Sequence, residues 1–265
     1  MFFKRTPQFQ PLYQMPVRIA TDRDNPYLNS MTLLSSDRLL LADLNNQSVK
    51  LVDVVQDKVL YQLKVNDSPS SVCSLPRNRA AVALPNKQII HILDCDNQLS
   101  IVNTIKVQGA CLGLDYSNGH LIVLYSFGKI EILNMHGGVV WQNNLEISTR
   151  YTYNHLSVMT ECNVTSIFVV DYSSSRIHRL DENLQVRQVY PVPNDTEKWS
   201  LLAVGENQLL VSDFNGRLWQ LDTTMGRWAL LTMCPQYAWS LAFCHDRHIL
   251  YYGGRSGVVK IYAIS

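Results

Sequence analysis

His245 and His248 stand three apart in His-Asp-Arg-His, a spacing that on a helix would bring two imidazoles to one side. Zinc needs three or four converging ligands. The pair falls in a polar break between two apolar runs, so it reads as a surface turn. Gly253-Gly254-Arg255-Ser256-Gly257 has the glycine density of a phosphate-binding loop. Such a loop presents its anion to a helix N-terminus, and no helical pattern follows here, so a hairpin turn fits better. No GxxxxGK[ST], GxGxxG or Gly-x-Ser-x-Gly occurs. Asp115 and Glu161 are isolated acids, whereas a calcium ion wants several oxygens at one depth. His91 and His178 alternate with apolar residues and read as outward-facing strand positions. The expectation is a chain with no catalytic residue, no cofactor and no metal.

The six cysteines (Cys73, Cys95, Cys111, Cys162, Cys234, Cys244) are dispersed without a CxxC pair, mostly inside apolar runs. They read as buried free thiols of a cytoplasmic protein. Lys plus Arg is 23 against 22 for Asp plus Glu, a balance that argues against a strongly basic nucleic-acid or membrane binder. No run approaches the roughly 18 apolar residues of a membrane span. The N-terminal residues, with Pro7 close behind Lys4 and Arg5, lack the apolar core of a secretion signal. A hydrophobic fraction of 46% excludes disorder, and a monomer is expected.

These residues must be held by strands. Apolar residues alternate over short segments separated by Asn, Asp, Gly, Ser and Pro, and helical periodicity never persists. A strand–turn–strand unit recurs at 39–54, 80–95, 121–135, 167–183, 209–222 and 249–264. Equivalent apolar residues are Val49, Ile90, Ile130, Ile177, Leu218 and Val259, spaced by 41, 40, 47, 41 and 41. Six copies at this period predict an all-β, six-bladed propeller with four-stranded antiparallel blades, one domain over 1–265. The long interval places an insertion around Glu146–His155. A second repeat, Ser30, Ser71, Ser157, Ser200 and Ser240 with Gly113 in the third copy, reads as small residues where the innermost strands converge. The last copy lacks a fourth strand, and Gln14–Thr21 is expected to supply it, closing the ring and covering an open edge, with residues 1–13 extended or disordered. Pro16 suits an edge strand because it cannot donate a ladder hydrogen bond.

On one rim the pattern gathers aromatic and arginine side chains among Asn, Ser and Gln. They are Tyr27, Tyr151, Tyr153, His155, Tyr172, Arg176, Trp199, Phe214, Arg217, Tyr237, Trp239 and Arg255. Large rings with a polar handle dominate binding hot spots. For Trp199 and Trp239, at equivalent positions, burial as repeat packing is an equal alternative.

The copies resemble NHL repeats, the six-bladed propellers of tripartite-motif proteins. Ser68-Pro69-Ser70-Ser71-Val72 is similar to the opening element of that pattern. Leu40-Leu41-Ala42-Asp43, Val169-Val170-Asp171 and Val211-Ser212-Asp213 are similar to the second, and Ser175-Arg176-Ile177 and Gly216-Arg217-Leu218 to the third. The Asp of the second element is replaced by Leu84, Tyr125 and Gly253 in the other copies, and the Trp-Asp dipeptide of WD40 blades is absent. The resemblance implies protein or peptide recognition or scaffolding, including substrate recognition for a ubiquitin ligase. Alternatives are RNA binding through one propeller face, a metal-dependent lactonase or hydrolase with its ion at the axis, and carbohydrate binding by the Asn, Tyr and Trp loops.

Overall fold

The computed structural model describes residues 9–147, 156–162, 164–193, 200–205, 207–213, 215–233 and 238–264. Strand β1 is Phe9–Pro16. The first blade holds β2 (Leu28–Ser35), β3 (Arg38–Asp43), β4 (Ser48–Asp53) and β5 (Lys58–Lys64). The second holds β6 (Ser71–Leu75), β7 (Arg79–Leu84), β8 (Ile89–Asp94) and β9 (Ser100–Lys106). The third holds β10 (Cys111–Ser117), β11 (His120–Tyr125), β12 (Lys129–Asn134) and β13 (Val139–Asn144). The fourth holds β14 (Leu156–Glu161), β15 (Val164–Asp171), β16 (Arg176–Leu180) and β17 (Val186–Pro191). The fifth holds β18 (Ser200–Gly205), β19 (Gln208–Ser212), β20 (Arg217–Asp222) and β21 (Arg227–Met233). The sixth holds β22 (Ala238–Cys244), β23 (Ile249–Gly254) and β24 (Val258–Ile264), with β1 as its outermost strand. The chain is an all-β six-bladed propeller.

Both faces of each sheet are covered by a neighbouring blade, which is why the second strands are apolar almost throughout. Leu39 and Leu41 point into a cluster shared with the sixth blade, while Leu40 and Ala42 point into one shared with the second. One such cluster fills each of the six junctions. All six of the aligned residues, from Val49 to Val259, are fully buried.

Closure occurs as expected in kind but not in register. Phe9–Pro16, rather than Gln14–Thr21, pairs antiparallel with β24, from Phe9 opposite Ile264 to Pro16 opposite Val258. Residues 9–13 are therefore part of the sheet. The reason is geometric: 17–27 must run from the outer edge of the sixth blade to the innermost strand of the first. The alternation at Val17-Arg18-Ile19 belongs to this connection, with Val17 fully buried. The long interval corresponds to the connection from Asn144 to Leu156, of which 148–155 lie outside the described residues.

The inner-strand serines do more than fit. Ser30 Oγ accepts the Val72 N–H at 3.1 Å, Ser71 Oγ accepts that of Leu114 at 3.2 Å, and Ser157 Oγ accepts that of Ala203 at 2.9 Å. Each bond ties one inner strand to the next blade, which no ladder joins. Gly113 has no hydroxyl, and a Cβ there would lie 2.9 Å from Leu156 Cβ. Asp115 takes over that bridge, as its carboxylate accepts the Val158 N–H at 2.8 Å.

Candidate functional site

Turns between second and third strands share a face with the connections that enter each innermost strand. At the junction of the sixth and first blades this face is laced together by side chains. Asn25 Nδ2 donates to the Arg255 carbonyl at 3.2 Å, and Asn45 Nδ2 donates to the Asn25 carbonyl at 3.0 Å. Gly257 has φ +70°, and a Cβ there would lie 2.5 Å from Asn25 Oδ1. The Gly-Gly-Arg-Ser-Gly stretch is thus a hairpin turn whose last glycine admits Asn25.

Tyr27, Trp239 and Arg255 meet at this junction. The two rings lie 4.7 Å apart at 56°. The Arg255 guanidinium sits 5.1 Å from the Tyr27 centroid and 4.6 Å from that of Trp239. Tyr27 is only 6% exposed and is not the rim contact expected of it, and Trp239, 4% exposed, takes the buried alternative; together they form the floor on which exposed Arg255 lies. Repeat packing explains their burial, since both stand where a connection enters an innermost strand. A guanidinium over aromatic faces keeps its orientation while still offering donors to solvent.

Among the other rim residues, Arg176 is exposed and Tyr172 is half-buried against the junction of the fourth and fifth blades. Arg217 is not open: its Nε donates to Asp213 at 2.6 Å and its guanidinium lies 5.8 Å from the Trp219 ring. Tyr151, Tyr153, His155, Trp199, Phe214 and Tyr237 lie outside the described residues. His245 and His248 occupy the exposed turn between β22 and β23. His178 does not face outward; burial lowers its pKa, and both ring nitrogens are shielded, with Nε2 4.0 Å from Asp171. His91 is half-buried and bonded to Thr104 at 2.8 Å. Among the described residues, no three His, Cys, Asp or Glu converge as metal ligands, and no helix is long and apolar enough to cross a membrane.

Two features of this face escape the sequence pattern. The first is a buried clasp. Lys50, fully buried, donates to Asp22 at 2.6 Å, to Asp43 at 2.8 Å and to the Val17 carbonyl at 3.0 Å. Burial alone would raise the Asp22 pKa, but Lys50, the Ile19 N–H and Gln62 hold it below the usual carboxylate value. Asp43 also accepts the Tyr27 N–H at 3.1 Å. The Asp that repeats at the end of second strands is therefore a joint: it meets Lys50 in the first blade and Trp219 and Arg217 in the fifth. Where Tyr125 replaces it, the hydroxyl donates instead to Glu131 at 2.6 Å.

The second is Phe127, in the turn between β11 and β12. It is 83% exposed and sits at φ +64°, a left-handed conformation rarely adopted by a bulky residue. Its position in Tyr-Ser-Phe-Gly resembles any turn, and only the backbone angle and exposure single it out.

No family model matches the sequence, and no curated protein matches it. Among solved structures, the Kuenenia stuttgartiensis hydrazine synthase is similar in fold, with a TM-score of 0.66 and 16% identity over 92% of this chain and 79% of that one. At this identity the likeness concerns the fold alone. The class is thus that of six-bladed propellers.

Proposed function

We propose that this propeller is a non-catalytic interaction module that binds a protein or peptide on the face bearing Phe127 and Arg255. The observation that carries this reading is Phe127: a large ring held in solvent on a strained backbone serves no packing role. Arg255, preset on Tyr27 and Trp239, supplies a second anchor of the kind that dominates binding energies. The resemblance to NHL repeats is in keeping with it and extends the proposal to substrate recognition for ubiquitin transfer. RNA binding is less favoured, because several cations are neutralised within the fold: Lys50 by two aspartates, Arg217 by Asp213 and Lys129 by Glu131.

The test is a display selection of peptides on the intact chain, followed by titration against Phe127→Ser and Arg255→Ala. Selected peptides should bind both variants about tenfold or more weakly, a loss of roughly 1.4 kcal/mol. Ligands that bind both variants as tightly as the parent chain would remove this face from consideration. Preferential enrichment of an RNA pool whose binding depends steeply on salt would support the RNA reading instead.

A further inference from the structure

On the opposite face, at the junction of the third and fourth blades, a cleft of about 290 Å³ has no part in the site above. Its wall follows from strand register. Asp115 pairs with Ile122, Ile122 with Ile132 and Ile132 with Trp141, so these four side chains form one row across the third blade facing the fourth. At the inner end Asp115 is spent on Val158, and the two isoleucines make an apolar floor. At the outer end Trp141 is 53% exposed. The corresponding residues opposite Leu51 and Ile92 are Tyr61 and Asn103, so the tryptophan is particular to this junction.

The far lip is the turn of the fourth blade that carries Glu182 and Asn183. Asn143 Nδ2 fixes that turn to β13 by donating to the Leu184 carbonyl at 2.9 Å. Asp181 holds it from within, accepting the N–H groups of Asn183 and Gln185 at 2.9 Å each. Arg187 is bound to Asp181 at 2.7 Å, and among the described residues no cation pairs with Glu182. On the near lip, His120 Nδ1 lies 2.9 Å from the Asn118 carbonyl. A carbonyl only accepts, so Nδ1 is the donor in this bond. The lining therefore combines an indole face, an apolar floor, one carboxylate and an imidazole, with no Lys or Arg.

That set is complementary to a planar cation rich in donors on an apolar stem. A guanidinium stacks on indole, is weakly hydrated and forks onto a carboxylate, which an ammonium does less well. We infer that this cleft receives an arginine side chain presented by a partner peptide, with Trp141 as its stacking surface and Glu182 as its counter-charge.

The experiment uses the full chain with its five tryptophans labelled with nitrogen-15, the Trp141 indole signal being assigned through Trp141→Phe. A blocked Gly-Arg-Gly peptide should shift that signal saturably, and Glu182→Gln should weaken binding about tenfold. The lysine peptide should bind more weakly, and the citrulline peptide, with the same shape and no charge, should leave the signal in place. Phe127→Ser should bind the arginine peptide as the parent does, which separates this site from the one proposed above. Absence of a saturable shift, equal binding of lysine or citrulline peptides, or saturation by a neutral methyl glycoside in place of the arginine peptide would each overturn the assignment.

Discussion

Asp115 on the innermost strand of the third blade accepts the backbone N–H of Val158 in the fourth at 2.8 Å, doing with a carboxylate what Ser30, Ser71 and Ser157 do with hydroxyls. The substitution follows from Gly113, which leaves the serine position empty. It also places an ionisable group where neutral ones stand in neighbouring blades.

That group makes the fold sensitive to pH. Burial pushes the Asp115 pKa up to about 6 from 3.8, outweighing the N–H groups of Tyr116 and Val158 that favour the anion. The folded chain therefore holds this proton more tightly than the unfolded chain. Its contribution to stability is fully present below the unfolded value and is lost as pH rises from about 4 through 6. The loss is on the order of 3 kcal/mol when complete. Asp115→Asn abolishes the titration at a fixed cost of one acceptor oxygen. Urea unfolding of both proteins between about pH 4 and pH 7 should show the difference moving in the variant's favour as pH rises. A difference independent of pH would rule out a raised Asp115 pKa.

Repetition decides what could be read in advance. Val49 and its five counterparts are legible because six junctions impose the same demand, and each copy repeats the answer. Lys50, one residue further on, is not. Its equivalents are His91, Glu131, His178, Trp219 and Lys260, so the position looks variable, and its partner Asp22 lies in a connection that only ring closure brings near. Phe127 and Trp141 are likewise single departures from the repeat. Trp199 and Trp239 are legible as equivalent positions, with burial one of the two readings open for Trp239, whereas the burial of Tyr27 is not legible, since alternation does not reveal which large ring a neighbouring connection covers. The closing strand is displaced from its expected position because Phe9–Pro16 and the connection after it both alternate.

Removing the cation from the clasp should be costly. Lys50→Met leaves Asp22 and Asp43 buried together without compensation, and breaking a buried pair in this way costs about 3–5 kcal/mol. The triple variant Lys50→Met, Asp22→Asn, Asp43→Asn removes the charges together and should recover most of that loss in denaturant unfolding. If the single variant is as stable as the parent chain, the clasp does not hold the entry segment to the first blade.

Thiol chemistry offers an independent check on the junctions. Cys73, Cys95, Cys111 and Cys244 are buried, and Cys162 is exposed. Burial pushes Cys95 and Cys111 up to about 12 and raises Cys73 well above its ordinary value, so their thiolates are scarce at neutral pH. Alkylation of the native chain, mapped by mass spectrometry, should modify Cys162 rapidly and spare those four until denaturant is added. Rapid native labelling of Cys111, packed between the second and third blades, would mean that this junction opens readily.

The ring depends on β1 in two ways that a truncation separates. Met15 and Val17 contribute to the core between the sixth and first blades, and the backbone of β1 satisfies the outer edge of β24. Deleting residues 1–16 exposes that edge, and an unpaired apolar edge strand recruits other chains. Light scattering should show self-association of the truncated chain, and its melting should lose cooperativity. Met15→Ala keeps the ladder and removes only buried side chain, so it should lower stability by about 2–5 kcal/mol without association. The pair of outcomes distinguishes loss of the edge from loss of core. A truncated chain that stays monomeric and melts like the parent would show that five and three-quarter blades suffice, and that β1 is decoration on a ring already closed by the contacts of β22 with β2 and β18.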